Sequence, residues 1–133
     1  MRRHFVLAFV ATIAVAVVLP IAAPAARKAQ TVNVTLKEFR ITGIPATLKA
    51  GAVTFNVKNA GKFPHNVKAI FGPAGVNIQT PQLKPGASQT VSATLKPGAY
   101  IIICGVGSGY HAAQGMIVHF TVGKFDFTTG KWS

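Results

Sequence analysis

The residues best suited to chemistry are Cys104, His111 and Met116, seven and then five positions apart, with His65 well upstream between Pro64 and Asn66. A thiolate, two imidazoles and a thioether form the ligand set of a trigonal two-histidine, one-cysteine copper site with a weak, long axial methionine. Soft thiolate favours Cu(I), imidazole accommodates both valences, and a weak fourth ligand tunes the potential. Met116 and His111 also have plainer roles open to them. Met116 suits an ordinary core position opening the last strand, and His111 suits a solvated loop. His119 alternates with Val118 and Phe120 and is read as an outward polar residue, not a ligand.

Ligands from distant parts of a chain need stiff elements to bring them together, and the pattern here is one of strands. From Thr31 it has period two, with Val32, Val34 and Leu36 on one face and Thr31, Asn33, Thr35 and Lys37 on the other. The alternation returns in Val53, Phe55, Val57, in Val67, Ala69, Phe71, and in Val118, Phe120, Val122; no comparable window has apolar residues at helical spacing. Leu48-Lys-Ala-Gly-Ala52, Leu83-Lys-Pro-Gly-Ala87 and Leu95-Lys-Pro-Gly-Ala99 resemble one turn used three times. Pro85 and Pro97 fix φ at the first corner of a type II turn, and Gly86 and Gly98 are expected at positive φ in the second. Strands so punctuated predict an antiparallel sandwich or barrel. Tyr100, just past a turn, is placed like the tyrosine corner of Greek-key sandwiches, and equally like a simply packed tyrosine. Ile101-Ile-Ile-Cys104 lacks polar alternation and predicts an inner strand, buried on both sides, that ends at Cys104.

The N-terminus is of another kind. Met1-Arg2-Arg3-His4 precedes an apolar run from Phe5 to Leu19, and Ala23-Pro-Ala25 offers a small-residue cleavage site. This predicts a secretory signal over residues 1–25, or an uncleaved anchor, ahead of a single domain over 26–133. Either way the domain is exported. No cysteine near the end of the run offers a lipid-attachment atom. Exported proteins use cysteines in pairs, so Cys104, the only cysteine, needs another role: intermolecular pairing, an inert buried thiol, or metal ligation. Without residues 1–25, twelve Lys and Arg face Glu38 and Asp126, a balance near +10. That field favours acidic partners or an anionic membrane surface. Export and scattered lysines argue against nucleic acid. Two acidic residues leave no glycosidase pair and no EF-hand, and a Ser-His-Asp triad would depend on Asp126. Phosphate-cradling GxxxxGK[ST] and GxGxxG loops are absent.

Taken together, Gly51-Ala-Val-Thr-Phe-Asn-Val-Lys-Asn-Ala-Gly61, Pro64-His-Asn66, Leu95-Lys-Pro-Gly-Ala-Tyr100, Cys104, His111 and Gly115-Met116 resemble the plastocyanin and azurin-like cupredoxins from about Val32 to Val122. The resemblance implies an all-β, Greek-key sandwich of about seven to eight strands. It implies one type 1 copper ion, with His65, Cys104 and His111 as equatorial ligands and Met116 as the axial one. Asn66 resembles the residue that ties the first histidine's segment to the cysteine loop. The family commonly places its second histidine closer to the cysteine than here, where Gly105-Val-Gly-Ser-Gly-Tyr110 puts six residues between them. The implied function is single-electron shuttling between redox partners by a monomeric carrier that is not itself an enzyme. In the family, electrons pass through the exposed edge of the second histidine; Phe63, Pro64, Tyr110, Ala112 and Ala113 would form the apolar patch around it. Copper delivery, or a sandwich holding zinc or no redox metal, are the alternatives. Lys124–Ser133 extends past the usual end of the family.

Overall fold

Alternating side chains decide the architecture. A computed structural model describes residues 28–133, so the leader expected over 1–25 lies outside the described residues. In β1 (Gln30–Lys37) the inward residues are Val32, Val34 and Leu36, and in β4 (Gly51–Asn59) they are Val53, Phe55, Val57 and Asn59. One four-stranded sheet runs β2 (Arg40–Thr42), β1, β4, β6 (Ser88–Leu95); the other runs β3 (Thr47–Leu48), β8 (Ile117–Val122), β7 (Gly98–Ile103), β5 (Lys68–Phe71). Residues of both sheets share one apolar core. β-Branched and aromatic side chains dominate it, as a pleated and half-buried surface requires. Among the described residues no helix is long and apolar enough to cross a membrane.

The sheets are mixed, where the sequence predicted antiparallel pairing. β1 runs parallel to β4 from Gln30↔Val53 to Leu36↔Asn59, and β3 runs parallel to β8. The chain leaves the first sheet after β2, adds β3 to the second, and returns, so β1 and β4 start from the same end. Alternation reports which face a residue takes and is silent on strand direction. β5 departs in another way. Val67 is buried, but Phe71 is 58% exposed, because β5 is an edge strand with a register shift between Ala69 and Phe71. In β7, Ile102 is fully buried while Ile101 and Ile103 are only half-buried on the outer face.

Strand ends sort to two poles. β4 and β7 both run toward one pole, where Asn59 and Ile103 end them. At the other pole Gly51 pairs with Leu95, and Gly98 and Leu48 each pair with Val122. This second pole is closed by Tyr100, whose hydroxyl donates to the Lys96 carbonyl at 2.8 Å and accepts the Lys96 N–H at 3.0 Å. That is the tyrosine corner, and the ring also stacks on Phe120 with centroids 4.8 Å apart. Gly86 has φ 80°, the expected second corner, whereas Gly98 opens β7 at φ 153°. A hairpin of β9 (Phe125–Asp126) and β10 (Lys131–Trp132) follows β8 at the second pole.

Candidate metal centre

Cys104 continues the inward phase of β7. Tyr100, Ile102 and Cys104 are two apart, so the thiol points into the core at the first pole, fully buried. Its N–H donates to the Met116 carbonyl at 3.0 Å. His65, also fully buried, exchanges both backbone hydrogen bonds with Leu83, at 3.1 and 2.7 Å. Asn59 makes that pairing possible. Its buried amide donates to the carbonyls of Phe63 and Leu83 at 2.8 and 2.7 Å and accepts the Gly61 N–H at 2.9 Å, folding the 60–64 loop back on β4.

His111 arrives on a single helical turn, α1 (Tyr110–Ala113), which the sequence pattern did not predict. Gly107, Ser108 and Gly109 have φ of 65°, 54° and 91°, a left-handed run that glycine makes accessible. The long spacing after Cys104 is taken up by this coil, so His111 lands beside the thiol. Met116 is fully buried, and its N–H donates to the His111 carbonyl at 3.0 Å.

Three ligand atoms now face one another. His65 Nδ1 and His111 Nδ1 are 3.1 Å apart, and Cys104 Sγ lies 3.7 Å from the first and 3.6 Å from the second. A triangle with those sides has its centre about 2.0 Å from every corner, the length of a metal–imidazole bond and slightly short of a metal–thiolate one. Among the described residues, this is where metal-binding side chains cluster. The donor set fits copper: two imidazoles and a thiolate, with the thioether residue Met116 just before the neighbouring strand β8 at the same pole. His119 is exposed, paired across β7 with Ile101, and has no place in the cluster.

The surroundings orient these ligands. Asn66 donates its N–H to Cys104 Sγ at 3.4 Å, and its side-chain oxygen accepts the Gly105 N–H at 2.7 Å. Glu38, which the sequence reading counted only as one of two acids, reaches His65 Nε2 at 3.3 Å. A carboxylate only accepts, so Nε2 carries the proton and Nδ1 keeps its lone pair toward the cluster. Glu38 also accepts the N–H groups of Phe63, at 2.8 Å, and Lys62. Its carboxyl is lowered from 4.5 to about 2, first by Phe63, then by its own N–H, Lys62 and His65, against partial desolvation. Burial lowers the pKa of His111, His65 lowers it further, and Glu38 opposes them; the shift favours the neutral, ligating imidazole. Phe39, also missed, sets its ring edge on His111 with centroids 5.2 Å apart. One of only two carboxylates in so basic a chain was the available signal for Glu38; Phe39 and Asn59 gave none.

A mixed β-sandwich carrying two histidines and a cysteine at one pole defines the cupredoxin class. The chain belongs to the cupredoxin-like domain family, whose model matches residues 8–118. No curated protein matches it. Solved structures share the fold. Dithionite-reduced auracyanin from Roseiflexus castenholzii is 20% identical, with TM-score 0.59, covering 72% of this chain and 98% of that one. Auracyanin A from Chloroflexus aurantiacus, described as a "blue" copper protein, is 20% identical with TM-score 0.57, covering 71% and 99%. A multicopper oxidase is 20% identical with TM-score 0.60; the match takes in 76% of this chain but 44% of the oxidase.

Proposed function

We propose that this chain is an exported type 1 copper protein that shuttles single electrons between redox partners. His65, Cys104, His111 and Met116 would hold one copper ion. The observation that carries this is the triangle of Nδ1, Nδ1 and Sγ with a centre at bonding distance from all three. Bound copper supplies one-electron chemistry between Cu(I) and Cu(II). The chain supplies constraint. Cys104 sits at a strand end, His65 is bridged to Leu83, and α1 is pinned by Met116, so the ligands keep their places when the valence changes. Burial of His65 and Cys104 excludes water. His111 is half-buried on a turn with exposed Tyr110 and Ala113 and half-buried Ala112, and Phe63 and Pro64 ahead of His65 are exposed too, a set suited to an apolar exit for an electron. The auracyanins that share the fold are matched over almost their whole length and the multicopper oxidase over 44% of its own, which favours a carrier over an enzyme.

The basic surface suits redox partners with acidic docking faces, met outside the cytoplasm by a monomer. Copper titration of the purified protein tests the reading. An intense thiolate-to-copper absorption should appear at one equivalent, vanish in Cys104→Ser, and persist against a chelator. A colourless one-equivalent complex, or a spectrum unchanged in Cys104→Ser, would overturn it; rapid loss to the chelator would favour delivery.

A further inference from the structure

The pole opposite the metal ligands has a composition of its own. Lys28 precedes β1, Lys49 and Lys96 lie in the turns before β4 and β7, and Lys124 and Lys131 bracket the final hairpin; all five are exposed. Register ties them to one end: Gln30 pairs with Val53, Gly51 with Leu95, and Leu48 and Gly98 with Val122. The Gln30 side chain bonds the Lys49 backbone twice, at 2.7 and 3.0 Å. Lys124 and Ser133 exchange backbone hydrogen bonds of 2.9 Å, closing the hairpin against this end. The acid here, Asp126, is spent on the turn, accepting the N–H groups of Thr128 at 2.8 Å and Thr129 at 3.3 Å.

That turn holds Phe127 at the tip, 90% exposed. Phe125 supports it edge-on with centroids 5.1 Å apart, and Trp132 lies 5.2 Å from Phe125. Trp132 also lines a depression with Phe71 and Pro97. The result is an exposed aromatic wedge at the same pole as five lysines, of which Lys96 also donates its ammonium to the Ala74 carbonyl at 2.8 Å. We infer that this pole docks on an anionic phospholipid bilayer, with Phe127 entering the headgroup boundary and the lysines meeting phosphate. Aromatic side chains favour that boundary, and basic residues beside it are drawn to anionic leaflets. A protein partner would ask for a desolvated centre depleted of charged residues, whereas lysines flank both strands of this hairpin. Lys28, the first described residue, lies at this pole, so an anchor retained ahead of it would meet the same surface as the wedge. The metal pole then faces away from the lipid.

Trp132 is the only tryptophan, so its fluorescence reports on this pole alone. The chain from Ala26 onward, without the apolar run Phe5–Leu19, is added to vesicles of phosphatidylcholine with or without phosphatidylglycerol, each carrying brominated acyl chains. Trp132 emission should shift to the blue and be quenched on the anionic vesicles, and salt well above 0.1 M should reverse this. Phe127→Ala should cut the ratio of quenched to unquenched tryptophan about ten-fold, and Lys124→Gln or Lys131→Gln about five-fold each. Equal quenching on neutral vesicles would overturn the inference. So would unquenched Trp132 on protein that sediments with lipid, or an emission change that follows protein concentration without lipid, which would mark a second copy as the occupant. The readout needs no metal, so it stands or falls apart from the copper reading.

Discussion

Replacing Asn66 by alanine isolates the tie between the two ligand-bearing segments. Its side-chain oxygen holds the Gly105 N–H at 2.7 Å, whereas its backbone N–H, kept in the variant, still faces Cys104 Sγ. The site is only part-buried, so water can partly replace the lost acceptor. An unsatisfied buried donor costs about 1–3 kcal/mol, and the lower half of that range, about 1–2 kcal/mol, applies here. With a urea dependence of about 1–3 kcal/mol per molar for small domains, the unfolding midpoint of the metal-free protein should fall by roughly 0.5–1 M. Copper affinity should fall about 10–100-fold, as for other partners that orient ligands from outside the first shell. Urea titration of metal-free protein and chelator competition of the copper form measure the two effects separately. Asn66→Asp keeps an acceptor and should recover most of the metal-free stability. An alanine variant within about 0.3 kcal/mol of the parent, or an aspartate variant no better than alanine, would refute the tie.

Tyr100→Phe keeps the stack on Phe120 but leaves the Lys96 N–H and carbonyl without their partner, and should cost about 1–3 kcal/mol by urea titration; an unmoved midpoint would dismiss the corner as a support. Met116→Gln presents a harder oxygen, which favours Cu(II), so voltammetry should show a lower reduction potential; overlaid voltammograms would remove Met116 from the ligand set. The Glu38 carboxyl is lowered from 4.5 to about 2, so the stability it adds is complete above about pH 4.5 and lost as the pH falls through about 2. Melting curves of the parent and Glu38→Gln should therefore converge toward pH 2, and a gap that stays constant from pH 7 to pH 2 would show that the charge has no part.

Much of this was legible because period-two alternation fixes which side chains face inward. Val32, Val34, Leu36 and Val53, Phe55, Val57 could be assigned to the core from the sequence. Cys104 could be placed at the end of an inner strand, and His65, Cys104 and His111, which the structure brings together, could be grouped from the sequence. Strand direction was not legible, since Gln30–Lys37 reads alike whether parallel or antiparallel to its neighbour. Nor was α1, because a single turn of Tyr110–Ala113 is too short to show helical spacing; its shape comes from the left-handed residues before it. Glu38 and Asn59 act across 27 and 24 positions, at His65 and Leu83, and such reach belongs to the folded chain alone.

The bonds from the Cys104 N–H to the Met116 carbonyl and from the Met116 N–H to the His111 carbonyl fasten the base of the 105–115 segment like a drawstring. What lies beyond that fastening is a cassette. Its length can be changed while the sheets beneath hold their register, because doubling a flexible loop costs only about 0.6 kcal/mol in closure entropy. Insertion and trimming between Cys104 and His111 are therefore inexpensive in stability, each offering the second histidine a new rim. The cassette is the natural unit to exchange when such a rim is to be redesigned for a different electron acceptor.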